Sequence, residues 1–189
     1  MQINGKINVP IARTNLTDSE INSVLEPLRS GWLVQGSQVK SFETKWSNFT
    51  GLQNSLAVTS CTSGLHLSTV ALNLSPGDEV IVPAFTWTST ANVVEHQGAK
   101  PVFCDIDLTT FNIDTEKIEE LINNKTVGII PVHLFGLPAN MDEIIRIANK
   151  NNIWVVEDAA CGFGALYKGK HVGGFGNTGV FSFHPRKAI

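Results

Sequence analysis

Hydrophobic and polar residues change their spacing along this chain, and the spacing near its start is helical. Thr17 with Glu20 forms a capping box ahead of a first predicted helix, which Gly31 would end and Pro27 would kink. Behind Ser37, apolar residues recur every three or four positions and predict a second amphipathic helix. Two helices are therefore expected before the first strand.

Further along, short apolar runs alternate with helical segments. The predicted strands cover residues 55–60, 79–84, 101–106, 126–133, 153–159 and 178–183. The predicted helices between them cover residues 63–74, 88–98, 114–124 and 139–152. Several of the runs are apolar on consecutive residues, as in strands that are covered on both faces. The alternation predicts an α/β fold with three layers, α/β/α, around a mostly parallel sheet. Residues 165–176 interrupt this alternation and predict a hairpin or a loop with glycine turns.

Composition narrows the classes of partner. Only 16% of the 189 residues are charged, below the roughly 25% of an average soluble domain, and the net charge is -3. Lysine and arginine are scattered, which disfavours nucleic acid and anionic membranes as partners. The chain shows no signal peptide and no apolar stretch long enough for a bilayer, so a cytoplasmic location is expected. Cys61, Cys104 and Cys161 are predicted to be free thiols, and no metal site is expected.

Ligands of parallel α/β sheets bind outside the carboxyl ends of the strands. Polar, aromatic and ionisable residues follow five of the predicted strands, at 61–64, 85–87, 133–136, 158–161 and 184–187. These groups are expected to converge at one edge of the sheet.

Thr62, Ser63 and the amide of Gly64 follow the first predicted strand and open a helix. Free amides at a helix N-terminus favour a phosphate, although a plain helix cap explains the same residues. The turn has no G-x-G-x-x-G pattern, and the chain has no G-x-x-x-x-G-K-[ST] pattern. A dinucleotide-dependent oxidoreductase and a nucleoside triphosphatase therefore lack their usual support.

Three further residues at strand ends have both a functional and a structural interpretation. Asp158 ends a buried run and needs a partner, which could be a protonated heterocyclic nitrogen or backbone amides, whereas Glu157 is interpreted as structural. Trp87 could stack on a flat ring or fill the core. Lys187 could be a nucleophile or a surface lysine. A phosphate anchor, an acid, an aromatic ring and a lysine together indicate pyridoxal 5'-phosphate.

The chain resembles the DegT/StrS family of pyridoxal-phosphate-dependent sugar aminotransferases, within the fold-type I aspartate aminotransferase superfamily. The resemblance runs from about Pro10 to the end. It is carried, in order, by "SGWLVQGSQVKSFE", "TSCTSGLHL", "PGDEVIVPAFTWTST", "PVHLFGLPANMD" and "VVEDAACGFGALYKGKHVGGFGNTGVFSFHPRK".

The resemblance implies two catalytic residues. Lys187 resembles the lysine that bonds to the cofactor and carries the proton of the substrate. Asp158 resembles the carboxylate that keeps the pyridine nitrogen protonated. Trp87 resembles the residue that stacks on the cofactor ring. The retained lysine argues against the sugar dehydratases of this family, in which a histidine replaces it.

The resemblance also implies a phosphate site formed by Ser182, Thr62 and Ser63. Cys161 stands where the family commonly has glutamine or histidine near the phenolic oxygen of the cofactor. A thiol is a weak donor, so the tuning of that oxygen would differ here.

By the same resemblance, residues 1–50 form an N-terminal arm with helices, and residues 51–189 form the cofactor-binding large domain. Fold-type I enzymes continue well beyond the lysine into a small domain, so the chain resembles a truncated N-terminal portion. The family builds its active site across a homodimer interface.

The implied function is transfer of an amino group from glutamate to a nucleotide-linked keto-deoxysugar, with a 4-keto-6-deoxyhexose as the favoured substrate. Such reactions serve O-antigen, other surface polysaccharides or amino-sugar metabolites. The alternative is a catalytically silent relative that acts as a binding or regulatory subunit.

Overall fold

A computed structural model of the protein describes residues 2–3, 6–7 and 14–187, and these residues form two compact units. The first unit contains the described residues up to 57 together with residues 184–187. The second unit contains residues 58–183.

The first unit is mainly helical. Its elements are the strands β1 (Gln2–Ile3) and β2 (Lys6–Ile7), which pair antiparallel, and the helices α1 (Asp18–Ser30) and α2 (Ser37–Thr50). The predicted capping box is present, because the carboxylate of Glu20 accepts a hydrogen bond from the amide of Thr17 at 2.7 Å. Gly31 ends α1 in the left-handed conformation, with φ at 71°, where glycine has no steric penalty. Both predicted helices are confirmed. The expectation that they precede the first strand is wrong, because β1 and β2 lie ahead of α1.

The second unit is built on a sheet of five parallel strands. The strands are β3 (Glu79–Pro83), β4 (Lys100–Cys104), β5 (Thr126–Ile129), β6 (Trp154–Ala159) and β9 (Thr178–Phe181). Their order across the sheet is β4-β3-β5-β6-β9. The helices are α3 (Cys61–Ala71), α4 (Ser89–Glu95), α5 (Thr115–Leu121) and α6 (Met141–Asn151). A 3-10 turn, η1 (Leu134–Gly136), and an antiparallel hairpin of β7 (Leu166–Tyr167) and β8 (Lys170–His171) complete the unit.

The core of the second unit lies on both faces of this sheet. Ile81 and Ile129 pack with residues of α5 and α6 on one face, whereas the next residues in line, Val82 and Ile130, pack with α3 and α4 on the other. Successive residues of a strand point to opposite faces, so a sheet covered twice needs consecutive apolar residues. The predicted α/β/α layering and the mostly parallel sheet are confirmed.

One predicted strand is wrong. Residues 55–60 form no strand and join no ladder among the described residues. The apolar side chains of Leu56 and Val58 are exposed. A strand needs a hydrogen-bonded neighbour as well as an apolar run, and the run alone gave the prediction. Of the hairpin and the loop expected at 165–176, the structure contains the hairpin, which is formed by β7 and β8.

Among the helices of the described residues, none combines the length and the hydropathy that a membrane crossing requires.

Candidate functional site

Asp158 lies at the carboxyl end of β6 and is held in one orientation. It is only 3% exposed. Its Oδ2 accepts a hydrogen bond from the hydroxyl of Thr90 at 2.8 Å, and its Oδ1 accepts one from the amide of Ala160 at 3.1 Å. Its backbone bonds to the segment that follows β5, with Pro131 O accepting at 2.9 Å and His133 N donating at 3.0 Å. A buried, oriented carboxylate therefore stands at the edge where ligands of such sheets bind.

The partner of Asp158, Thr90, was not identified by the sequence analysis. Thr90 is completely buried in the first turn of α4, 68 residues from Asp158 along the chain. Its hydroxyl oxygen also lies 3.1 Å from that of Thr86, in the loop after β3. The only signal in the sequence was the threonines at 86, 88 and 90, which alternate with other residues after a predicted strand, and that pattern does not indicate which of them meets a carboxylate.

The N-terminus of α3 has a cap of its own. Ser60 accepts a hydrogen bond from the amide of Ser63 at 3.0 Å, so Ser60 is the cap of this helix. The sequence analysis had considered Thr62 and Ser63 for that role. Thr62 and Ser63 lie in the first turn, and the Ser63 hydroxyl contacts those of Ser60 and Thr59 at 2.9 Å and 3.1 Å. Within the described part of the chain, no residue hydrogen-bonds to the Thr62 amide or hydroxyl. Thr62 lines a depression that also includes Ser63 and His66.

Helix α3 begins beside strand β9. A Cβ atom added at Gly64 would lie 2.6 Å from Cγ1 of Val180, and the Cys61 thiol lies 3.9 Å from the Val180 carbonyl oxygen. Val180 is in turn the register partner of Asp158. Ser182 follows Val180 by two residues and is 9% exposed. The first turn of α3, the end of β9 and Asp158 thus share one edge of the sheet.

Trp87 and Cys161 also follow strands at this edge. Trp87 lies between β3 and α4, and its side chain is 76% exposed, so it does not fill the core. An exposed ring at a strand end is available for stacking. Cys161 lies half-buried in the turn after β6. The roles assigned to both by the resemblance stay predictions.

His133 was expected among the groups that converge at the strand ends, but it is completely buried and bonds to Glu157. Its Nδ1 accepts the Ala139 amide at 3.1 Å, so the proton is on Nε2, which donates to Glu157 Oε2 at 3.0 Å. The contact is therefore a hydrogen bond from a neutral imidazole. Burial raises the pKa of Glu157, but the hydrogen bonds from His133 and the amides of Gly176 and Gly173 outweigh burial and hold that pKa below its ordinary value. Glu157 is structural, as the sequence analysis interpreted it.

Lys187 belongs to the first unit, whereas the other candidate residues belong to the second. Its amide donates a hydrogen bond to the carbonyl oxygen of His184 at 2.8 Å, in a turn that also includes Arg186. The role of Lys187 rests on its place in the final motif of the sequence.

Known structures define the class to which this fold and site belong. The chain is similar to the "putative sugar aminotransferase" of Streptococcus pneumoniae, which has been solved in apo, pyridoxamine phosphate and pyridoxal phosphate forms. The identity to the pyridoxal phosphate form is 35% and the TM-score is 0.92, over 96% of this chain and 50% of that one. An aminotransferase from Psychrobacter cryohalolentis gives 37% identity and a TM-score of 0.88, over 92% of this chain and 44% of that one. The fold is that of the aminotransferases.

The particular family follows from the sequence. The model of the DegT/DnrJ/EryC1/StrS aminotransferase family matches residues 14–189, and the chain belongs to that family. An uncharacterized protein from Methanocaldococcus jannaschii is 46% identical over 181 residues, which are 96% of this chain and 47% of that protein. The family predicted from the motifs is confirmed, and pyridoxal phosphate is confirmed as a cofactor of the family. The chain spans about half the length of these relatives.

Proposed function

We propose that this chain is part of a pyridoxal-phosphate-dependent aminotransferase that moves an amino group from glutamate to a nucleotide-linked keto-deoxysugar. A 4-keto-6-deoxyhexose is the favoured acceptor, in the biosynthesis of surface polysaccharides or amino sugars. The observation that carries the proposal is the buried, hydrogen-bonded carboxylate of Asp158 at the carboxyl edge of a sheet with this family's fold.

The donors and acceptors at this edge fit pyridoxal phosphate. A buried carboxylate is stabilised by a cationic partner, and a protonated pyridine nitrogen is one. The Thr62 amide and hydroxyl, in the first turn of an 11-residue helix, suit a phosphate dianion. Trp87 offers an exposed aromatic face. We assign Ser63 and Ser182 to the phosphate and Cys161 to the vicinity of the phenolic oxygen.

The cofactor, when bound, withdraws electrons from the substrate carbon that loses its proton. Asp158 would keep a proton on the pyridine nitrogen through its carboxylate, because an ionised neighbour favours the protonated form of that nitrogen. Trp87 would cover one face of the ring and exclude water from it. Lys187 would hold the cofactor, and its Nζ would serve as the base that takes the proton from the substrate carbon and returns it.

The first test is a visible spectrum of the intact protein before and after borohydride, followed by peptide mapping of the reduced adduct. The expected result is an absorption band that borohydride converts into a stable adduct on Lys187. Lys187→Ala should remove the adduct and retain the fold, and the exposed Lys45→Ala is the matched control. A protein that takes up no added pyridoxal phosphate would contradict the proposal and favour a silent binding or regulatory subunit.

The second test concerns Asp158. Asp158→Asn should weaken cofactor binding and slow both half-reactions, because an amide cannot stabilise a pyridinium as a carboxylate does. Unchanged turnover would show that Asp158 is structural.

The acceptor is identified by a panel of keto sugars linked to UDP, GDP or dTDP. The protein is first loaded with the amino group from glutamate, and aspartate serves as the comparison donor. Return of the spectrum to its starting form with one keto sugar only would identify the substrate. No response to any sugar nucleotide would contradict that part of the proposal and leave the cofactor assignment intact.

We further propose a homodimer, located in the cytoplasm, with residues 51–189 in the cofactor-binding domain. An exposed row of aromatic rings supports an interface: Phe85 and Phe111 have centroids 5.7 Å apart, and Phe111 and Phe135 have centroids 6.5 Å apart. Sedimentation of the intact protein should give twice the monomer mass, and a monomer that retains full activity would exclude an active site shared between subunits.

A further inference from the structure

We infer that the hydroxyl pair Thr86–Thr90 is a positioning device that orients the carboxylate of Asp158 and favours its ionised form. The inference rests on the proposed function, in which that carboxylate meets the cofactor nitrogen. It assigns roles to two residues that carry none in the motifs described above.

The direction of the hydrogen bonds follows from counting protons. A hydroxyl has one proton, and the Thr90 hydroxyl donates its proton to Asp158 Oδ2 at 2.8 Å. The 3.1 Å contact between the two threonine hydroxyls must then be a bond from Thr86 to the Thr90 oxygen. The chain of donors runs from Thr86 through Thr90 to Asp158.

This chain of donors stabilises the charged form of the acid. Hydrogen bonds donated to a carboxylate favour ionisation, and bonds arranged in series polarise one another in a site of low dielectric. Asp158 is 3% exposed and Thr90 is completely buried, so water does not replace the hydroxyl readily. With the Ala160 amide at 3.1 Å on the other oxygen, both oxygens of the carboxylate are oriented by donors.

The placement of the two threonines also makes the pair a link between elements. Thr90 is carried by α4, Thr86 by the loop that also carries Trp87, and Asp158 by β6. The two hydrogen bonds therefore connect the loop that carries Trp87, helix α4 and strand β6. Loss of either threonine hydroxyl should therefore change the affinity for the cofactor through the carboxylate of Asp158.

The experiment is a titration of the intact protein with pyridoxal phosphate, without substrates, across a range of pH. Thr90→Val has nearly the same shape and lacks the hydroxyl, and Thr90→Ser restores it. A lost bond to a charged group should raise the dissociation constant by about tenfold and should move the acid limb of the affinity profile about one pH unit higher. Thr90→Ser should stay within about twofold of wild type, and Thr86→Val should weaken binding about threefold, since its bond reaches Asp158 through Thr90.

Two controls separate positioning from general damage. Thr88→Val, at an exposed position with no side-chain cap bond at the start of the same helix, should leave the profile unchanged. In an Asp158→Asn background, Thr90→Val should add less than about a twofold effect, because the two residues act as one unit. Circular dichroism establishes that each variant is folded.

The outcomes distinguish the inference from the function on which it rests. A wild-type protein that forms no borohydride-stable adduct on Lys187 overturns both. An adduct in wild type with unchanged binding by Thr90→Val overturns the inference alone. So does a Thr90→Val effect that is equally large in the Asp158→Asn background, since it would not act through the carboxylate.

Discussion

Glu157→Gln tests whether one buried carboxylate organises the loop between β8 and β9. Its Oε1 accepts the amides of Phe175 and Gly176 at 2.7 Å and 2.8 Å. Its Oε2 accepts the Gly173 amide at 2.7 Å and His133 Nε2 at 3.0 Å. A glutamine keeps one acceptor oxygen and turns the other into a donor, so two of the four donors lose their partner.

The magnitude follows from those two donors. Each buried donor without a partner costs about 1–3 kcal/mol, so Glu157→Gln should lower the free energy of unfolding by about 2–6 kcal/mol. That is a large share of the roughly 5–15 kcal/mol by which a typical domain is stable. Urea unfolding of the intact protein near neutral pH, followed by far-UV circular dichroism, measures the change. The exposed Glu95→Gln is the matched control and should stay within about 0.5 kcal/mol of wild type.

The same pair of proteins gives a pH dependence of known sign. The pKa of Glu157 is lowered in the folded state from its ordinary value of 4.5. Its contribution to stability is therefore fully present above pH 4.5 and is lost as the pH falls through the lowered folded pKa. The stability difference between wild type and Glu157→Gln should shrink over that acidic range. A difference under about 0.5 kcal/mol at neutral pH, or one that grows in acid, would refute the reasoning.

Three more predictions concern single sites. Gly64→Ala should destabilise the protein by about 1–3 kcal/mol, because the new Cβ would lie 2.6 Å from Val180 Cγ1. Thermal unfolding measures the change, and an unchanged melting temperature would contradict that packing. Cys104 should resist a disulfide reagent near pH 8 in the native protein. Burial, and after it the charges of Asp114 and Asp105, raises the pKa of its thiol to about 12. Rapid modification without unfolding would contradict this. Because the Trp87 side chain is exposed, Trp87→Ala should change the free energy of unfolding by less than about 0.5 kcal/mol. The same variant should retain pyridoxal phosphate less well than wild type. A large loss of stability would indicate that Trp87 is a core residue.

The layering of this protein is predictable because its causes are local or periodic. Consecutive apolar residues such as Val80, Ile81 and Val82 indicate a strand covered on both faces, and both faces are covered. The capping box at Thr17 is set by residues three apart. Residues 55–60 show where such patterns fail. Their apolar run predicts a strand, but among the described residues it pairs with no other strand.

The sequence by itself determined the helices, the parallel sheet, the family and the list of residues at the strand ends. Only the tertiary structure decided which of them meet. Thr90 reaches Asp158 across 68 residues because α4 packs on the sheet that contains β6, and His133 turns into the core to bond Glu157, 24 residues away. Such pairs depend on the strand order β4-β3-β5-β6-β9, which no local pattern specifies. The periodicity of the sequence indicates which residues are buried, whereas the topology of the sheet determines which hydrogen-bond partner each buried polar residue meets.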